Sequence, residues 1–300
     1  MTAAAKASAR ASRRHGAAEP RRARRCPAAA RSGRRDALAA AAAAAAASIG
    51  GFGTGAARAA TDYNVRLEDV EDQRTRAAVE AADRGDFALA EQLFLQVVET
   101  DPSASAYSNL GNVQNSLGNF ADAERNLSEA VARAPDAPVP LLNRAVARQA
   151  LGKLEEARAD CTTAISLDAR EFAAWHNRGQ IEADMGLWRE ALDDYTKAAD
   201  LAPGLAGYRL KQALAAWQVG EEDLSERLLS GLARKYANYA EARAALAAVL
   251  WARGREEAAE EQFAAAEFLD GSLSEPGYAR AHLWPPEAAE ALRRFRRLEV

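Results

Sequence analysis

Six glycines recur along the chain at an almost constant interval. Gly85, Gly118, Gly152, Gly186, Gly220 and Gly254 are separated by 33 residues once and then by 34 four times. Five residues after each stands a small side chain: Ala90, Ala123, Ala157, Ala191, Ser225 or Ala259. Four further on comes Phe94, Leu127, Cys161, Tyr195, Leu229 or Phe263, and three beyond that Val97, Ala130, Ala164, Ala198, Leu232 or Ala266. Self-similarity at this period means stacked supersecondary units, none of which can bury its apolar face alone. The apolar spacing on either side of each glycine is that of an amphipathic helix, so each unit reads as two helices joined at a residue that tolerates a left-handed backbone. Aromatic residues make up only 7% of the 300, with 19 Gly and 10 Pro, which disfavours a glycine-rich β-sandwich and leaves helix as the default.

Prolines close three of the units, at Pro102, Pro135 and Pro203, and Tyr107-x-x-Leu110-Gly111 and Trp175-x-x-Arg178-Gly179 stand upstream of two of the turns. These residue types at a 34-residue period resemble the tetratricopeptide repeat (TPR) over about residues 71–271. Departures occur at Ala169, Ala237 and Gly271, which replace the closing proline, and at Ser225, which replaces the usual alanine. The resemblance implies an all-α, right-handed TPR solenoid of about six helix pairs with a C-terminal capping helix. Its units fall at about 71–103, 104–137, 138–171, 172–205, 206–239 and 240–273. Residues 272–300 leave the pattern. Leu283-Trp284-Pro285-Pro286 precedes a basic amphipathic helix over Glu287–Leu298, whose Ala288, Leu292, Phe295 and Leu298 share one face, as a cap over the last repeat requires.

Charge divides the chain differently. Residues 1–59 hold twelve of its 39 basic side chains and two of its 43 acidic ones, leaving 27 basic and 41 acidic for the remainder. Residues 1–35 consist mostly of Ala, Arg, Ser and Pro, the composition of an organelle transit segment. Arg34-Arg35, a weakly apolar run from Ala37 to Ile49, and Ala57-Arg58-Ala59 then read as a second signal of twin-arginine type. That run is shorter than the roughly 20 residues a membrane helix needs. In this order the two signals resemble the bipartite presequence of thylakoid-lumen proteins, with bacterial export to the periplasm or outside the cell as the alternative. Residues 60–70 then form a linker. Thylakoid-lumen TPR proteins of plants and algae also end in a Trp-Pro-Pro stretch after an Arg-Ala-Ala-Leu helix, which resembles Trp284-Pro285-Pro286 and Arg243-Ala244-Ala245-Leu246 here.

No catalytic motif is present: G-x-x-x-x-G-K-[ST], G-x-S-x-G and H-E-x-x-H are all missing. Two cysteines (Cys26, Cys161) and three histidines (His15, His176, His282) disfavour a disulfide framework and a zinc finger. Cys161 falls where a repeat buries an apolar side chain, and the paired carboxylates Glu155-Glu156, Asp193-Asp194 and Glu256-Glu257 read as a solvated face. No catalysis, metal or cofactor is expected. The acidic repeat region disfavours nucleic acid as a partner.

The TPR resemblance places function on the concave face lined by the first helix of each unit. Its polar positions read Asn109, Asn112 and Asn115, then Asn143 and Gln149, then His176, Asn177 and Gln180, followed by Lys211, Trp217, Gln218 and Trp251. Amides donate and accept at once, which suits capture of an extended peptide backbone, and the tryptophans would supply an apolar anchor. The 34-residue spacing places all of them on one surface. Chaperone-binding TPRs hold a C-terminal carboxylate with a basic clamp. Asn112 and Asn143 match that pattern, but Ser108, Ala173 and Asn177 stand where its cations would be. Arg144, Arg148 and Arg178 are expected to pack between repeats. The implied function is a non-enzymatic protein-interaction scaffold in the lumen, serving photosynthetic complexes, with no membrane span in the mature chain and at most peripheral association. Alternatives are a chaperone-like holder of extended clients and an exported bacterial adaptor. N-terminal sequencing of the protein from isolated thylakoids is expected to begin near residue 60, and a stromal form beginning near residue 35 would contradict this order of signals.

Overall fold

The computed structural model describes residues 72–275 and 277–297. The targeting segment, the linker, Glu71 and Leu298 lie outside them. The described residues form helices and connecting turns, with no strand. Twelve helices make six pairs: α1 (Gln73–Asp83) with α2 (Phe87–Thr100), α3 (Ala104–Leu117) with α4 (Phe120–Arg133), and α5 (Pro138–Ala150) with α6 (Leu154–Leu167). Then come α7 (Phe172–Met185) with α8 (Trp188–Leu201), α9 (Ala206–Gln218) with α10 (Glu222–Lys235), and α11 (Ala240–Ala252) with α12 (Glu256–Leu269). A 3-10 turn (Gly271–Ser274), the four-residue α13 (Tyr278–Ala281) and α14 (Pro286–Arg297) follow. Each helix packs against the next in sequence, as the expected solenoid requires, and first helices of adjacent units also touch: α3 on α5, α5 on α7 and α9 on α11.

The repeated glycine makes the turn inside every pair. All six have φ between 74° and 82°, and a Cβ added at any of them would meet nothing within 4 Å. The requirement is therefore for the backbone conformation and not for space. The two N–H groups after each first helix return to its last carbonyls, as in Gly186 to Ala183 and Leu187 to Glu182, at 3.0 and 2.8 Å. The same pair of bonds recurs in all six units, satisfying carbonyls that a helix end leaves orphaned.

The two helices of a pair approach through small residues. Ala90, Ala123, Ala157, Ala191, Ser225 and Ala259 are all fully buried. Opposite them stand Ala78, Gly111, Ala145, Gly179, Ala213 and Ala247, also buried. A Cβ at Gly111 would lie 2.5 Å from Leu127 Cγ, whereas one at Gly179 would lie 3.1–3.2 Å from Tyr195, Ala191 and Asp194. The larger side chains four residues after the small ones, from Phe94 to Phe263, fill the space this closeness leaves. Cys161 is one of them. Its thiol is fully buried, and burial pushes its pKa far up, so it packs as a small apolar side chain and is not an activated nucleophile.

Two glycines of different type should respond differently to alanine. Gly111→Ala is expected to lower stability, because overpacking of about 1–3 kcal/mol exceeds the roughly 1 kcal/mol gained in helix propensity. Gly179→Ala should change it little, and Gly186→Ala should lose about 1–2 kcal/mol to the left-handed backbone. Urea midpoints that rank Gly179→Ala as the worst of the three would refute this account of the contact.

Candidate functional site

The first helices α3, α5 and α7 form the inner face of units two to four. Their polar side chains separate into two groups. Asn109, Asn112 and Asn143 are half-buried, and their side-chain amides make no hydrogen bond within the described residues. Asn177 is also half-buried, and its Oδ1 lies 3.4 Å from Nδ1 of His176. The second group is committed to the solenoid. Asn115 is buried, and its Nδ2 donates to the carbonyl of Asn143 at 2.8 Å, tying α3 to α5. Gln149 Nε2 donates to Asp184 Oδ2 at 2.7 Å, tying α5 to α7. Gln180 Oε1 accepts from the Tyr195 hydroxyl at 3.3 Å.

His176 closes the row against aromatic neighbours. Its ring lies 4.7 Å from Tyr208 and 5.7 Å from Tyr195, centroid to centroid, and Tyr208 also meets Phe172 at 5.7 Å. Burial lowers the His176 pKa to about 4, and the charge of Lys211 acts in the same direction. The imidazole is therefore neutral at neutral pH and stands ready as a packing and hydrogen-bonding group. Tyr208 was not among the sequence candidates. It stands 34 residues after the buried Ala174, and that break in the repeat was the available signal.

Lys211, Trp217, Gln218 and Trp251 correct the expectation of one open concave surface. Residues 277–297 fold back across the inner side of α9 and α11. Lys211 Nζ donates to the carbonyls of His282 and Leu283 at 3.1 and 3.4 Å. Burial lowers its pKa, while Glu241 and Asp184 oppose the shift. Gln218 Oε1 accepts the Glu287 N–H at 3.0 Å. Trp251 lies edge-on to Phe295, with centroids 6.4 Å apart, and Trp217 packs against the same apolar cluster. The cause is apolar surface: α11 buries Ala242 and every residue from Ala244 to Leu250, so it needs a cover on its inner side as well as on its outer side. The capping helix is thus seated in the concavity, and its Phe295 ring meets Phe263 of α12 edge-on, with centroids 5.2 Å apart.

The arginines pack between helices, as the sequence predicts. Arg144 forks onto Asp160 at 2.9 and 2.7 Å and reaches back to Ser128 of the preceding unit at 3.3 Å. Arg178 repeats this 34 residues later, on Asp194 at 2.7 and 2.9 Å and on Thr162 at 3.4 Å. Arg148 bridges Asp160 and Glu124. Ser108 and Ala173 supply no cation, and Ser108 is buried. Units two to four therefore present an amide-lined face with one neutral imidazole and with the exposed Asp184 carboxylate beside Gln149. Such a face can accept from and donate to a peptide backbone, and it lacks the charge to hold a terminal carboxylate. Among the described residues no cluster of His, Cys, Asp or Glu is placed to hold a metal, and no helix is long and apolar enough to cross a membrane.

Models of the tetratricopeptide repeat match residues 104–136, 140–171 and 172–205, which are units two to four. No curated protein matches the chain. Among solved structures, a thermophilic TPR protein of Thermus thermophilus is 22% identical, over 61% of this chain and 100% of that one, with a TM-score of 0.51. A tetratricopeptide repeat protein of Parabacteroides merdae is 20% identical, over 75% of this chain and 91% of that one, with a TM-score of 0.56. YrrB, described as a TPR protein with an unusual peptide-binding site, is 15% identical, over 67% and 97%, with a TM-score of 0.51. At these identities the likeness to solved structures is one of fold. Proteins built of this repeat generally act as protein–protein interaction scaffolds.

One buried carboxylate behind this face carries a pH prediction. Glu182 is buried, Arg158 Nε donates to its Oε1 at 2.9 Å, and its Oε2 has no partner. Burial, with the nearby Asp194 charge, raises the Glu182 pKa against the pull of Arg158 and Arg178. A carboxyl raised on folding contributes stability that is complete below its unfolded pKa of about 4.3 and lost as pH rises through the folded value. Glu182→Gln is neutral throughout and is expected to gain on the wild type as pH rises above about 4.3. Urea midpoints across this range test it. A variant that falls behind with rising pH would mean that the Arg158 pair outweighs burial.

Proposed function

For this tetratricopeptide repeat protein, we propose a role as a non-enzymatic interaction scaffold that captures an extended peptide segment on the inner face of units two to four. The observation that carries this reading is the set of unpaired amides at Asn109, Asn112 and Asn143 on adjacent helices, beside Asn177 and His176. Each amide can take one backbone carbonyl and one backbone N–H of an extended chain without regard to its side chains. That tolerance also favours a second reading, a chaperone-like holder of extended clients, which predicts many weak partners where a scaffold predicts one stable complex.

The location we propose is the thylakoid lumen, where such a scaffold would assist assembly or maintenance of photosynthetic complexes from the lumenal side. Two sequence features support it: the basic segment with Arg34-Arg35 and Ala57-Arg58-Ala59, and the resemblance carried by Trp284-Pro285-Pro286. Export from a bacterium is the alternative that the same signals allow.

Affinity capture from solubilised thylakoids with the wild type and with Asn112→Ala/Asn143→Ala tests the face. Each lost hydrogen bond is worth on the order of 0.5–1.5 kcal/mol, so the double variant is expected to bind roughly tenfold more weakly with helicity preserved. Raising salt should change recovery little, because the face carries no cation cluster. Unchanged recovery by the double variant would move the interaction off this face.

A further inference from the structure

Units five and six belong to the same inner row, yet their face is occupied by the chain's own end. The manner of occupation is that of a bound peptide. Backbone carbonyls of residues 282 and 283 are taken by Lys211, and the Glu287 N–H is taken by the amide of Gln218. Trp284 is buried with its indole N–H donated to Glu241 Oε1 at 2.8 Å, so the aromatic anchor leaves no polar atom unpaired. Helix α14 then lays Ala288, Ala291, Leu292 and Phe295 into the concavity. Side chains that read a backbone, one tryptophan in a pocket and an amphipathic helix in a groove are the elements by which separate segments are recognised.

The end of the chain also differs from a further repeat. It follows no 34-residue register, and among the described residues α14 has no antiparallel partner of its own. None of its salt bridges among the described residues reaches the repeats: Arg293 and Arg294 pair with Glu290 of the same helix, and Arg296 donates to the carbonyls of Ser274 and Glu275. Leu283, immediately before the anchor, holds φ at 55°, a left-handed conformation that a bulky side chain adopts at a cost. Leaving the groove would relieve that strain and break none of these ion pairs.

We propose that the inner face of units five and six is a second peptide site, held closed in cis by residues 282–297. The partner it fits is a segment of the same chemistry: a tryptophan followed by prolines and a helix apolar on one side and basic on the other. This site rests on the contacts of the chain's end and not on the amides of units two to four, so either can fail without the other. A tethered occupant competes at an effective concentration on the order of millimolar, which keeps the site shut against weak ligands.

A fluorescent synthetic peptide with the sequence of residues 280–297 serves as the probe, followed by anisotropy with the full chain. Trp284→Ala/Phe295→Ala, which loosens the tethered segment, is expected to bind the probe at least about tenfold more tightly than the wild type. Adding Trp251→Ala should remove that gain. Should the loosened chain lose its helicity, the wild-type sequence with a protease site inserted after Glu275 replaces it, since cutting frees the segment without touching the groove. The cut chain is then expected to exchange its segment for the probe while the uncut chain does not. Equal uptake by tethered and released forms, or uptake indifferent to Trp251→Ala, would overturn the proposal.

Discussion

The structure depends on the close approach of two helices at each small-residue contact. Where Gly111 faces Leu127, no side-chain atom separates the glycine backbone from the leucine, and a single methyl group would not fit. Small residues stand on both sides of this contact in all six pairs, at one spacing along the chain. A contact repeated at one spacing makes each pair present the same face to the next, so the stack extends as a solenoid whose core is a series of apolar clusters. The left-handed glycine turns serve this contact by returning the second helix antiparallel within three residues.

How far the fold could be read in advance follows from what a period encodes. Glycine spacing, the small residues after it and the large residues beyond them are local facts, and they placed the helix pairs and the burial of Cys161. The same frame put Arg144 and Arg178 between helices, because residues 34 apart must face the same neighbours. A period tells which side of a solenoid a residue faces, but not what lies over it. Trp217, Trp251 and Lys211 do face inward, and the chain's end lies on them. Two signals for that were present. Helix α11 is apolar nearly all round, and α14 carries an apolar stripe with no partner in the repeat pattern. Each needs the other to bury its surface. Asn115 was harder to foresee, since an amide that binds a neighbouring carbonyl and one left open to a ligand look alike in sequence.

The inner surface is thus of two kinds. In units two to four it is polar and unpaired at Asn109, Asn112 and Asn143, and the inter-repeat ties run beside it through Asn115 and Gln149. In units five and six it combines an apolar cluster with Lys211, Gln218 and Glu241, and it is covered. The His176, Tyr195 and Tyr208 rings stand at the border, next to the lysine that holds the covering segment. A ligand long enough to run along the amides would meet this border.

Electrostatics then explains why the arginines of units two to four do not serve the open half. Arg144, Arg148, Arg158 and Arg178 are each drawn to a carboxylate that the solenoid buries: Asp160, Glu182 or Asp194. An arginine with a buried partner cannot swing to a ligand without leaving that carboxylate unpaired in a poor solvent, which costs several kcal/mol. The clamp's own cation positions carry Ser108, Ala173 and Asn177, and the neighbouring arginines that could stand in for them are held between the helices. What remains on the inner face can hold a peptide only by its backbone and by shape. On the proposed reading, such a surface selects an extended chain over a compact one before it selects any sequence, and that order of preference is what a scaffold or holder of extended segments requires.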